Sequence, residues 1–368
     1  MSLNTMPALK IGQYEMNIPI IQGGMSVGIS LSGLASAVAN EGGIGVIGAA
    51  GIGMFEPDVM MNPKAANQRA LRKEIQKAKK KSQGFIGVNI MVALSDYEEL
   101  ALVSVEEGID FIFLGAGLPL KIPKNFSQEH LEAFSKKVIP IVSSDRALKI
   151  IFRSWGKNYG RIPDAVVVEG PLAGGHLGFK LEQINDPEYR LENLVKQVME
   201  GVKPFEDKYS KKISVIAAGG IYTGADIYKF LNIGVDGVQM ATRFVATYEC
   251  DADEGFKEMY VNAEKEDLVI IKSPVGLPGR AIKNEFLLEV KRGERIPFKC
   301  PWKCLKTCDF RNSPYCIALA LTNAKKGILS QGFSFAGANA YKIDRIVSVK
   351  ELINTLEEEY LRAQEGNS

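Results

Sequence analysis

Long apolar runs are missing from this chain: none approaches the ~20 residues of a membrane span. A basic, apolar, small-residue leader is also missing at the N-terminus, so a cytoplasmic protein is expected. Strong charge of either sign is lacking. The formal net charge of +2 gives no electrostatic case for nucleic acid or an anionic membrane. Histidine is scarce, with only His130 and His176 present. No HExxH pair, Walker loop or hydrolase nucleophile elbow occurs, which removes the common metalloprotease, nucleotide-hydrolase and serine-hydrolase readings. Low-complexity segments and internal repeats longer than one β/α unit are absent too.

What remains is an ordinary globular composition, 46% hydrophobic and 24% charged over 368 residues, enough to bury a sizeable core. Short apolar segments alternate with helix-like ones. Eight strands are expected, at Pro19–Gln22, Gly43–Ile47, Phe85–Met91, Phe111–Leu114, Val138–Val142, Ala165–Glu169, Ser214–Ala218 and Gly237–Met240. They are apolar on both faces, as a buried parallel sheet requires. Helices are expected at Leu31–Glu41, Lys64–Lys81, Asp96–Glu107, Gln128–Lys136, Asp145–Ser154, Leu191–Pro204 and Gly224–Asn232, with Ser95 and Thr223 as N-caps. Eight alternations over roughly 240 residues fit an α/β fold of the (β/α)8 TIM barrel type better than an open doubly wound sheet.

The alternation fails after Cys250. The chain therefore divides into a barrel over 1–250 and a C-terminal segment over 251–368, expected on or near the barrel mouth. In that segment 251–265 reads as helical. Lys272–Arg280 reads as a turn-rich loop, and further helices are expected near Ile317–Lys326 and Val349–Gln364.

The residues carrying chemistry lie at the expected C-terminal ends of strands, where barrels build their sites. Glu169-Gly-Pro-Leu-Ala-Gly-Gly-His176-Leu-Gly178 follows the sixth strand. Its glycines let a ligand approach the backbone, and a histidine so flanked is poorly suited to be a core residue. His176 is thus the candidate general acid/base. His130, in the charged string Gln128-Glu-His-Leu-Glu132, reads as solvated. Ala218-Gly219-Gly220 and Gln239-Met240-Ala241-Thr242 end strands seven and eight, the place where barrels commonly bind phosphate. Gln22 and Asn89 end strands one and three and read either as ligand-orienting groups or as bonds to a neighbouring strand. Gly115-Ala-Gly117 and Ser143-Ser144 extend the same ring. Gly43-Ile-Gly45-Val-Ile-Gly48 matches GxGxxG. Its glycines run through a strand after a helix, so it is read as tight packing and not as a dinucleotide site.

Four of the five cysteines crowd into C-x3-C-x3-C-x7-C: Cys300, Cys304, Cys308 and Cys316. Crowding in a reducing compartment argues for metal or plain thiols over disulfides. The spacing is neither a zinc-ribbon CxxC pair nor a ferredoxin pattern, so structural thiols are the default and no metal site is assigned.

As an ordered set, Pro19-Ile-Ile-Gln22, Gly87-Val-Asn89, Val168-Glu-Gly170, Ala173-Gly-Gly-His176, Ala218-Gly-Gly-Ile221 and Val238–Phe244 resemble the nitronate monooxygenases, flavin mononucleotide (FMN) barrel proteins. Gln22-Gly-Gly-Met25, Gly87–Met91 and Gly115–Pro119 also resemble the flavin-containing enoyl-acyl carrier protein reductases, which would use NAD(P)H and an enoyl thioester. A typical monooxygenase has Ala-Pro in place of Gly23-Gly24 and often Gln in place of Glu169. The resemblance implies FMN as cofactor and a small-molecule substrate such as a nitronate, and it admits a homodimer. It implies that Gly24 and Met25 lie against the flavin ring and that Asn89 and Glu169 bond to the ring or ribityl chain. It further implies that Gly174, Gly219, Gly220 and Gln239 to Thr242 hold the phosphate, with His176 facing the substrate.

Overall fold

In a computed structural model of the chain, which describes residues 6–124, 126–294, 300, 302–306 and 308–366, the apolar segments become eight parallel strands. They are β1 Ile20–Gln22, β2 Gly45–Gly48, β3 Ile86–Met91, β4 Phe111–Gly115, β5 Val138–Val142, β6 Ala165–Glu169, β7 Ser214–Ala218 and β8 Gly237–Met240. From β2 to β8 each pairs with the next in sequence, and β8 pairs with β1 in the register Val238↔Ile20 to Met240↔Gln22. Closure between β1 and β2 rests on one bridge, Ile21↔Ile44, with Gln22 N donating to Ile44 O at 2.9 Å. The result is a nearly closed TIM-type barrel.

Alternate residues of each strand face in and out, so two cores form. Ile21, Val46, Phe111, Phe113, Ile139, Val167 and Ile216 fill the barrel interior. Leu9, Ile11 and Met16 join them from a short antiparallel hairpin, Leu9–Ile11 with Tyr14–Met16, which plugs one end. No local pattern signals this plug, because two three-residue strands are too short to show a period. The other core lies between strands and helices. There Gly45 allows the helix Ser32–Asn40 to sit directly on β2: a Cβ on Gly45 would stand 1.8 Å from Ala35 O. The GxGxxG string is therefore a packing device.

The helices begin and end where local chemistry directs. Asn62 and Ser144 cap the helices Pro63–Lys81 and Asp145–Tyr159 through their side chains, and Gly160 stops the latter at φ +66°. Thr223 caps Gly224–Ile233 in a reciprocal capping box with Asp226. Ser95 does not cap the third helix, Tyr97–Glu106. Its cap position is Asp96, whose carboxylate is taken by Asn67 Nδ2 at 2.7 Å, while Ser95 N donates to Cys304 O. The helix expected to stop at Pro204 runs through it to Tyr209. Burial of Val195, Val198 and Val202, with Phe205 edge-on to Phe152 at 5.3 Å, outweighs the ~3 kcal/mol an interior proline costs.

The C-terminal segment wraps back over the barrel. A helix Glu254–Val261 leads into a hairpin, Leu268–Lys272 with Pro278–Ile282, where a loop was expected. Val269, Ile270 and Ile271 supply the strand tendency, and Gly276 at φ +87° supplies the turn. The last helix, Val349–Glu365, packs on Gly224–Ile233 so closely that a Cβ on Gly224 would stand 2.0 Å from Leu356 O. No helix among the described residues is long and apolar enough to cross a membrane.

Candidate active site

The strand ends and the returning C-terminal segment enclose a cavity of about 370 Å³. Gly24 sits against β3, where a Cβ would meet Asn89 Cβ at 2.4 Å. Met25 N is taken by Ser30 Oγ at 2.8 Å, so only backbone ahead of it stays free for a ligand. The Asn89 amide and the Glu169 carboxylate both line the cavity, and neither has a hydrogen-bond partner among the described residues. Burial without compensation pushes the Glu169 carboxyl up to about 7, so near neutral pH a large share is protonated.

Opposite lies a glycine cradle. Gly219 and Gly220 follow β7 at φ +94° and +89° and line the site, and neither backbone amide donates to a described residue, which leaves both free for an anion. Gly174 is crossed by the strap at Ala336-Gly337, whose backbone a Cβ would meet at 2.6 Å. Gly337 N donates to Thr242 Oγ1 at 3.0 Å, which leaves the Thr242 hydroxyl proton free to donate. Asn339 Nδ2 donates to Gly220 O at 2.6 Å and fixes that loop from above.

His176 stands between these ends. The sixth-strand loop pairs with the C-terminal hairpin, Gly279↔His176 and Arg280↔Gly175. Ser273, at the turn of that hairpin, holds its Oγ 2.7 Å from His176 Nε2. The ring of Phe335 meets the imidazole edge-on at 4.9 Å. Burial lowers the His176 pKa to about 4, so the ring is neutral at physiological pH and can accept a proton. Arg280, buried to 6% exposure, donates through Nη1 to Pro171 O at 2.6 Å and Ala173 O at 2.7 Å. One guanidinium thereby ties the hairpin to the histidine loop, and desolvation brings its pKa down to about 10.

The cavity brings together His176, Gly24, Met25, Asn89, Glu169, Gly174, Gly219, Gly220, Gln239, Met240, Ala241 and Thr242. It excludes Gln22, which is fully buried and accepts from Val46 N at 2.9 Å while donating to Gly23 O. Gln22 is a strand-to-strand fastener at the weak seam between β1 and β2. Met240 is itself nearly buried and offers backbone, its carbonyl accepting from Gly23 N at 2.8 Å. Ser144 is spent as a helix cap, and His130 lies on a surface helix outside the cavity. Ser273, Arg280, Phe335 and Tyr260 were not singled out from sequence. Each belongs to the segment after Cys250, where no periodicity marks a face.

Comparison with known proteins follows the same outline. A family model described as nitronate monooxygenase matches residues 8–359. Probable nitronate monooxygenases from Staphylococcus aureus strains MSSA476 and Newman are each 27% identical over 305 residues, 76% of this chain and 79% of theirs. Among solved structures, FabK from Thermotoga maritima is 30% identical, with a TM-score of 0.71, covering 95% of this chain and 94% of its own. Nitroalkane oxidase from Streptomyces ansochromogenes shares the fold at 21% identity and a TM-score of 0.71, covering 96% of this chain and 98% of its own. The chain belongs to the nitronate monooxygenase family and is a flavin-dependent oxidoreductase.

Proposed function

We propose that this member of the nitronate monooxygenase family binds FMN and oxidises nitronates or nitroalkanes with dioxygen to carbonyl compounds and nitrite. The observation that carries the reading is a neutral, Ser273-held His176 in the same cavity as an anion cradle and two unpartnered polar groups. The residues fit a flavin. Gly219, Gly220 and the Gln239–Thr242 turn would hold its phosphate. Asn89 and Glu169 would meet the polar edge of its ring or its ribityl hydroxyls, with Gly24 giving clearance for the ring. When bound, the flavin supplies electron transfer and reaction with dioxygen.

The protein's own task is the proton. A nitroalkane carries an acidic C–H beside its nitro group, and removing that proton gives the nitronate. The contact with Ser273 Oγ occupies Nε2, and in the tautomer in which Nε2–H donates to that oxygen the lone pair is on Nδ1, the atom we assign to take the proton. An imidazolium formed in this buried place is stabilised by the nitronate anion beside it. The share of Glu169 that is protonated near neutral pH reduces the second negative charge there.

The test is nitrite release in air from a nitronate and from the neutral nitroalkane by purified protein. Absence of nitrite with both would refute the reading. A second reading, reduction of an enoyl thioester by NAD(P)H, is favoured by the 30% identity to FabK over 95% of this chain. Anaerobic bleaching of the flavin by NADH or NADPH, followed by turnover of a crotonyl thioester, would establish it instead.

A further inference from the structure

The stretch from Cys300 to Cys316 takes no part in the chemistry above. Its described residues form no helix or strand, only the one-residue bridge of Leu305 to Leu94. It is nevertheless fastened at both ends. Ser95 N donates to Cys304 O and Lys306 N to Ala93 O, each at 3.0 Å, which fixes Cys304 beside the loop after β3. Cys316 directly precedes the helix Ile317–Lys325, whose Ala318 and Leu321 line the flavin cavity along with Trp302 and Cys304. The two anchors hold Cys304 at the cavity rim, with Cys300 and Cys308 four positions to either side of it and Cys316 at the start of the helix. All four are half-buried and none is in a disulfide.

A second observation points to an absent acceptor. The indole N–H of Trp302, two residues from both Cys300 and Cys304, is buried with no hydrogen-bond partner among the described residues. The same holds for the hydroxyl of Tyr315, next to Cys316 and held by Phe286 at 5.2 Å and Phe333 at 5.8 Å. Buried donors left unpaired are costly and uncommon. The unpaired indole of Trp302, in the cavity wall beside Cys304, indicates a missing acceptor there.

We propose that Cys300, Cys304, Cys308 and Cys316 ligate an iron–sulfur cluster at the rim of the flavin cavity. A single zinc ion would require all four sulfurs within ~2.3 Å of one point. No three ligand side chains among the described residues converge in that way. A cluster spreads its irons over a wider volume and accepts thiols that stand further apart. Its inorganic sulfides supply an acceptor for Trp302 that a bare ion lacks. Ligation releases the four thiol protons, and because a cubane holds mixed ferric and ferrous iron, its assembly is supplied with ferric iron and a thiol reductant. The proposal rests on the cysteines and the Trp302 indole, not on which substrate the flavin serves.

The experiment uses the full-length protein, incubated anaerobically with ferric iron, dithiothreitol and sulfide, desalted, and assayed for iron, acid-labile sulfide and flavin in one sample. About four iron and four sulfide per chain are expected for a cubane, with a paramagnetic signal after dithionite reduction. Cys304→Ser and Cys316→Ser should each lose most of the iron and sulfide and keep the flavin. Cys250→Ser, whose thiol is buried elsewhere against Ile29 O, should keep all three. If the serine variants fail to fold, alkylation of the loaded parent decides: protection of these four cysteines from iodoacetamide supports the cluster, and free labelling overturns it. Stoichiometric zinc without sulfide, or iron unaffected by the serine variants, also overturns it.

Discussion

Ser273 and His176 stand 97 positions apart in the chain, yet Ser273 Oγ lies 2.7 Å from His176 Nε2. The contact exists because the C-terminal hairpin pairs with the histidine loop through Gly279 and Arg280. It occupies Nε2 and leaves Nδ1 outside this bond.

His176→Ala should lower kcat/KM for a neutral nitroalkane by about 10²–10⁴-fold, the range of a lost general base. Turnover of the preformed nitronate should fall by about tenfold at most. Ser273→Ala removes one hydrogen bond, worth roughly 0.5–1.5 kcal/mol, so a loss of about two- to tenfold confined to the neutral substrate is expected. Steady-state nitrite assays on both substrates check this. Equal losses on the two would refute the base assignment.

The pH response of stability carries the sign of two opposed shifts. Glu169 is raised from 4.5 to about 7, so it contributes stability that is fully present below pH 4.5 and lost as pH rises through 7. His176 is lowered from 6.5 to about 4, so its contribution is present above pH 6.5 and lost as pH falls through 4. Glu169→Gln removes only the first. Its Tm relative to the parent should therefore increase from pH 5 to pH 8, measured by thermal melts at matched flavin content. A constant difference would place Glu169 in a polar, paired environment.

Gly219→Ala tests the anion cradle. An alanine at φ +94° is strained by about 1–2 kcal/mol, and its Cβ would stand 2.8 Å from Gly170 O. Flavin affinity should drop at least tenfold, read by fluorescence on release, with the far-ultraviolet dichroism retained.

Arg280→Met should destabilise the fold by about 2–4 kcal/mol, because two buried carbonyls lose charge-assisted donors. Denaturant titration measures it. The same variant should broaden the histidine loop's exchange, seen as faster amide exchange at Gly175 to Leu177.

How much of this was legible in the chain differs by region. The strands from Ile20 to Met240 could be read almost to the residue, because a strand buried on both faces must be a short apolar run between helix signals. Their C-terminal ends could be read too, since barrel geometry sends them to one face. Hence Asn89, Glu169, His176 and the Gly219-Gly220 turn could be grouped before any coordinates. Gln22 shows the limit of that rule. It ends a strand like Asn89 but closes the seam to Val46, and only the register between β1 and β2 separates the two outcomes.

The segment after Cys250 is where sequence alone stops. Its contacts join residues about a hundred or more positions apart: Arg280 to Pro171, Asn339 to Gly220, Gly224 to Glu359. No local period encodes such pairings, because each is set by where the completed barrel leaves unpaired carbonyls and amides. The sequence by itself determined the eight-fold barrel and the strand ends that line one cavity. Tertiary structure alone decided that His176 is neutral, that Ser273 holds it, and that the cysteine stretch sits at the same cavity. Those properties depend on burial and long-range closure, which a linear pattern does not carry.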